Sequence, residues 1–125
     1  MKPGYEGDPK DNQSVFSFVL NFLREQGGPA FDDQKDECRY RMGGKCCAAG
    51  CLIPDEDYNC AMEGEGIEPD LGVNGLAYKY FEKRGFDMRL LCSLQSAHDQ
   101  IAPTKWELFE RGMKEVATNH ELAYA

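Results

Sequence analysis

The side chains best suited to chemistry are concentrated between Cys38 and Cys60, where CRYRMGGKCCAAGCLIPDEDYNC holds five of the chain's six cysteines. Thiols at this density could ligate zinc, form a disulfide or supply a nucleophile. From Cys38 onward the spacings are Cys-x8-Cys, Cys-x3-Cys and Cys-x8-Cys, with no Cys-x2-Cys knuckle to specify a zinc site. If zinc were held here, Cys38, Cys47, Cys51 and Cys60 would be the candidate ligands. A catalytic thiol at Cys47 or Cys51 would need a base, and the chain has only two histidines, His98 and His120. The preferred reading is a scaffold of small buried thiols with no cofactor. A zinc-stabilised structural module and a small thiol- or metal-dependent enzyme are the alternatives.

Asp55-Glu56-Asp57-Tyr58-Asn59 mimics the opening of a calcium loop. An EF-hand needs Gly at its sixth position and Glu at its twelfth, and those positions hold Cys60 and Gly66. The acids read instead as a solvated loop or as a recognition surface for a basic partner. The contact residues of such a surface would be Asp55, Glu56, Asp57, Tyr58, Glu63 and Glu65. His98-Asp99 and His120 suggest a metal hydrolase, but both histidines fall on apolar helical stripes. In an antiparallel helix pair they lie about 18 Å apart, too far to share an ion. They are expected to be hydrogen-bonded core residues.

These residues need elements to position them. NQSVFSFVLNFLREQGG is apolar except for a stripe of Ser14, Ser17, Asn21 and Arg24, which predicts a largely buried helix capped by Asp11 or Asn12 and stopped at Gly27. A second helix is expected from about Asp70 to Arg84, with Val73, Leu76, Ala77, Tyr80 and Phe81 inward. Asp87 can cap a third, striped by Leu91, Leu94, His98 and Ile101. A fourth opens at TKWE, a Thr104/Glu107 capping box, and turns Trp106, Phe109, Met113, Val116 and His120 inward. Gly43-Gly44 signals a two-residue hairpin that pairs Met42 with Lys45 and Arg41 with Cys46. Extended further, the register pairs Tyr40 with Cys47 and Cys38 with Ala49. Cys38 and Cys47 would then be diagonal neighbours roughly 7–8 Å apart, too far for an unstrained disulfide. The expected fold is α+β and mostly helical: about a four-helix bundle with one small hairpin near residues 38–49. Residues 1–11 read as a flexible arm and 12–125 as a single globular domain.

Net charge is −8, and residues 31–70 alone carry 11 Asp/Glu against 4 Lys/Arg. A chain so acidic has no basic footprint for direct nucleic-acid binding. No apolar run is long enough to span a membrane, and the N-terminal residues lack a signal-peptide core, so a cytosolic setting with reduced thiols is expected.

Several of these residues also form a recognisable set. C-x-Y-R (Cys38, Tyr40, Arg41), C-A-x-G-x-L-I-P-D-x-x-Y (Cys47, Ala48, Gly50, Leu52, Ile53, Pro54, Asp55, Tyr58) and M-E-G (Met62, Glu63, Gly64) are followed by L-Q-x-x-H-D (Leu94, Gln95, His98, Asp99). With Trp106, Ala117, His120 and Leu122, the set resembles a family of small proteins encoded by tailed bacteriophages and prophages, over about residues 14–122. Cys46 and Cys60 stand outside that pattern. The resemblance implies a phage origin and a host cytoplasm, and it brings no activity with it. The expectation is a non-enzymatic accessory protein that modulates or inhibits a host protein through its acidic segment. That host protein would be one that handles nucleic acid or acts in defence.

Overall fold

A computed structural model describes residues 2–32, 34, 37–63, 66–67, 75–99 and 103–124. Among them are four helices: α1 (Asn12–Gln26), α2 (Leu76–Arg84), α3 (Met88–Asp99) and α4 (Phe109–Asn119). Two short antiparallel ladders lie between α1 and α2. Phe31–Asp32 (β1) pairs with Glu37–Cys38 (β2), and Arg41–Met42 (β3) pairs with Lys45–Cys46 (β4). The α+β, mostly helical fold expected from the sequence is the fold observed. None of these helices is long and apolar enough to cross a membrane.

The sequence signals for α1 act as expected. Asp11 caps it by accepting from the Ser14 backbone N–H, and Gly27 ends it in the left-handed region at φ 78° while donating to Leu23 O. Val15, Phe16, Val19, Leu20, Phe22 and Leu23 are buried, each stabilising the fold by about 1.5–3 kcal/mol relative to exposure. Asp87 likewise accepts from the N–H groups of Arg89 and Leu90 at the start of α3.

Gly43 and Gly44 both take positive φ, 56° and 81°, and set the predicted register of Arg41 with Cys46 and Met42 with Lys45. The hairpin stops there, shorter than the expected span of 38–49. Beyond it the backbone groups find other partners: the N–H groups of Tyr40 and Arg41 donate to Glu63, and Cys47 O accepts from Cys51 N–H. Cys38 pairs with Phe31 and not with Ala49, which removes the diagonal relation of Cys38 and Cys47 expected from the extended register.

Further expectations are corrected. The fourth helix does not open at TKWE: Pro103–Leu108 is a 3₁₀ segment kinked at Lys105, and regular α-helix starts at Phe109. The tighter turn lets the Trp106 ring stack on Phe109 at 4.7 Å. On α2 the buried residues are Ala77, Tyr78 and Phe81, while Leu76 is exposed and Tyr80 leans toward Asp57. Residues 70–74, Ile101 and the Thr104 side chain lie outside the described residues. The N-terminal segment, read as an arm, is hydrogen bonded to the body through Gly4 N–H to Cys51 O and Tyr5 N–H to Leu52 O. The Tyr5 ring packs edge-on against Phe18.

Candidate functional site

The motif residues from Tyr40 to Glu63 converge on one tightly bonded unit. After β4 the chain enters the 3₁₀ turn Gly50–Leu52, which is wholly buried. A Cβ on Gly50 would sit 2.5 Å from Tyr40 O, so only glycine fits this approach. Arg41 closes the turn from outside, donating to Gly50 O and Ile53 O at 2.6 Å each and pairing with Asp55 at 3.4 Å. Its guanidinium also lies 4.8 Å from the centre of the Tyr58 ring. Two glutamines complete the frame: Gln26 both accepts from Cys46 N–H and donates to Cys46 O, and Gln95 accepts from Ala49 N–H.

Glu63 sits at the other end of the unit. Its carboxylate accepts from the N–H groups of Tyr40 at 2.9 Å and Arg41 at 3.1 Å and from the Tyr58 hydroxyl, with Arg39 beside it. Burial and the Glu63 carboxylate push the Tyr58 phenol up to about 12, which keeps it a neutral donor. Glu63 is therefore part of the interior scaffold, and its carboxylate is not presented to a partner.

The acidic loop springs from this base as a turn in which the N–H groups of Asp57 and Tyr58 both donate to Pro54 O. Asp55 and Glu56 are exposed, and Asp57 accepts from the Tyr80 hydroxyl at 2.8 Å and pairs with Arg84 at 3.6 Å. Burial and the bond to Asp57 push the Tyr80 phenol up to about 12. Arg84 stacks 3.6 Å over the Tyr80 ring. Of the six predicted contact residues, the structure places Asp55, Glu56 and Asp57 on one exposed loop. Tyr58 is half-buried, Glu63 faces inward, and Glu65 lies outside the described residues. The supports Arg41, Gln26, Gln95, Tyr80 and Arg84 were not anticipated. Arg41 and Gln95 stand in the motif set with no role assigned to them, and Tyr80 and Arg84 are spaced one helical turn apart.

The described thiols divide between the interior and the surface. Cys46, Cys47 and Cys51 are buried and Cys60 is exposed, while the Cys38 side chain lies outside the described residues. Burial pushes the thiols of Cys47 and Cys51 far up, so neither is a ready thiolate. Cys47 Sγ accepts from Gly50 N–H and Cys51 Sγ donates to Ala48 O, so both are engaged by the turn that contains them. Among the described residues no group of three or more His, Cys, Asp or Glu is arranged to hold a metal.

The two histidines have separate bonding partners. His98 is fully buried: its Nε2 accepts from Ala30 N–H at 3.3 Å, and its Nδ1 bonds to Asp99 at 2.8 Å. An accepting Nε2 assigns the proton to Nδ1, so both ring nitrogens are satisfied within the frame. His120 is half-buried, with Nε2 2.9 Å from Ser93 Oγ. Neither histidine faces a thiol in these bonds. Comparison with protein-family models, with curated proteins and with solved structures finds no match.

Proposed function

We propose that this chain is a phage-type accessory protein that binds a host protein in the host cytoplasm and modulates or inhibits it. The contact surface is the loop of Asp55, Glu56 and Asp57, and its partner is a basic surface such as that of a nucleic-acid-handling or defence protein. One observation carries this reading. Two exposed carboxylates stand on a loop whose backbone and flanking residues are fixed by Arg41, Tyr80 and Arg84. A preformed loop loses little conformational freedom on binding, and its charge speeds encounter with a basic partner. The position of Asp57 under Tyr80 and Arg84 makes it a support as well as a contact, so Asp55 and Glu56 carry most of the recognition.

The test is affinity capture from host lysate with the native chain and with Asp55→Lys/Glu56→Lys. The native chain recovers a stoichiometric partner, and the double reversal recovers none while retaining the native thermal transition. Equal recovery by both proteins refutes the acidic-surface reading.

A further inference from the structure

Away from the acidic loop, one pair of side chains stands in the relation that nucleophilic catalysis requires. Ser93 lies in the middle of α3, and His120 follows the last residue of α4. The two residues are 27 positions apart in sequence, yet the packed helices bring His120 Nε2 to 2.9 Å from Ser93 Oγ. That is hydrogen-bond reach between a hydroxyl and a general base. With the proton on Nδ1, Nε2 accepts from the hydroxyl.

The way α4 ends sets the position of His120. Its N–H donates to Val116 O at 3.0 Å, and Leu122 N–H reaches back to Ala117 O at 2.8 Å. Between them Glu121 takes φ 56°, in the left-handed region that favours glycine. The imidazole is therefore held at a tight helix stop. Ser93 is held by α3 itself, and a contact carried on helices is fixed more closely than one carried on loops.

Both side chains are half-buried and line one recess of about 380 Å³ with Met88, Arg89, Cys92 and Asn119. Met88 and Cys92 contribute apolar surface, Arg89 contributes a cation, and the space admits a small acyl group. His120 and Arg89 also line an adjoining polar recess with Asp87 and Glu121. The Asp87 carboxyl is held below the usual range, by the Asn12 amide first and by His120 last, so it is ionised at neutral pH. Negative charge beside His120 favours the imidazolium that forms when Ser93 gives up its proton.

We propose that Ser93 and His120 are a nucleophile and general base that hydrolyse small carboxylic esters through an acyl-Ser93 intermediate. Ser93 Oγ bonds to the carbonyl carbon while its proton passes to His120 Nε2. The negative charge that develops on the carbonyl oxygen is offered the Arg89 guanidinium. Collapse breaks the ester C–O bond, and the departing alkoxide takes the proton from Nε2. Water then attacks acyl-Ser93 as its proton goes to Nε2, the carboxylic acid leaves, and Ser93 recovers its hydrogen. Ester and water become acid and alcohol, and nothing else is consumed. Neither residue belongs to the acidic loop, so this activity and partner binding are separable.

The probe is p-nitrophenyl acetate, given to the native chain, to Ser93→Ala, to His120→Gln and to Asp55→Lys/Glu56→Lys. Nitrophenolate release by the native chain saturates with ester and exceeds that of free imidazole at the same concentration. Acid quenching and peptide mass mapping place the acetyl group on Ser93, and the adduct clears once the ester is exhausted. His120→Gln is acylated at least about a hundredfold more slowly with an unchanged thermal transition, Ser93→Ala carries no adduct on α3, and the loop variant matches the native chain. The mapping is made on the native protein, so it decides the matter even if a variant fails to fold. Four outcomes overturn the proposal: release no faster than with imidazole, acetyl found on lysines or on His120 but not on Ser93, acylation of Ser93 indifferent to His120→Gln, or an acetyl-Ser93 that never clears.

Discussion

Replacing Glu63 by Ala separates a scaffold residue from a contact residue. The substitution removes an acceptor for two backbone N–H groups, at 2.9 and 3.1 Å, and for the Tyr58 hydroxyl, and it leaves Arg39 without one of its two carboxylates. Each hydrogen bond to a charged acceptor contributes about 1.5–3 kcal/mol, but the emptied site is only partly buried and water re-solvates some of it. The expected net cost is about 3–4 kcal/mol, at the lower end of that for breaking a buried ion pair. This is a large share of the roughly 5–15 kcal/mol that holds a domain of this kind together. Urea denaturation followed by far-ultraviolet circular dichroism measures it, with Glu56→Ala as the exposed-carboxylate control, expected within about 0.5 kcal/mol of native. A loss below about 1 kcal/mol for Glu63→Ala, or one equal to the control, would refute the internal role assigned to this carboxylate.

Gly50→Ala forces a Cβ to 2.5 Å from Tyr40 O and should destabilise the chain by about 1–3 kcal/mol or more in the same urea titration; a neutral result contradicts the close approach. Brief iodoacetamide treatment followed by mass spectrometry should modify Cys60 first and reach Cys47 and Cys51 only on unfolding, because both are buried and their thiols are pushed far up. Rapid modification of Cys47 or Cys51 in the folded chain would revive thiol catalysis. The carboxyls of Asp87 and Glu110 are held below the usual range, chiefly by hydrogen bonds from Asn12 and Arg24. Their contribution is therefore complete above about pH 4, the unfolded value, and is lost as pH falls through the lower folded values. Stability should drop across that acid window, and Asp87→Asn should flatten the drop; an unchanged pH profile in the variant contradicts the assignment.

What could be read from the sequence was local. Asp11, Gly27 and Gly43-Gly44 act through bonds to near neighbours, and the helix and the turn they set appear where expected. The hairpin was overextended because its register was projected past Arg41, where the next N–H donors turn to a carboxylate 22 and 23 residues away. Glu63 reads as a surface acid from the sequence for the same reason: what buries a carboxylate is the set of donors the tertiary fold brings to it. The acidic loop was found by composition, whereas the residues that fix its shape, Arg41 from β3 and Tyr80 and Arg84 from α2, are distant in sequence. The thiol density suggested chemistry, but burial decides thiol reactivity, and spacing alone does not report burial.

Asp55 and Glu56 are the proposed surface for a host partner. The most direct measurement is the association of the captured partner with immobilised native chain and Asp55→Lys/Glu56→Lys, by surface plasmon resonance at two salt concentrations. The expected result is a native association rate that falls with salt and a variant that binds at least about a hundredfold more weakly. Binding that is equally strong in the variant and indifferent to salt would contradict it.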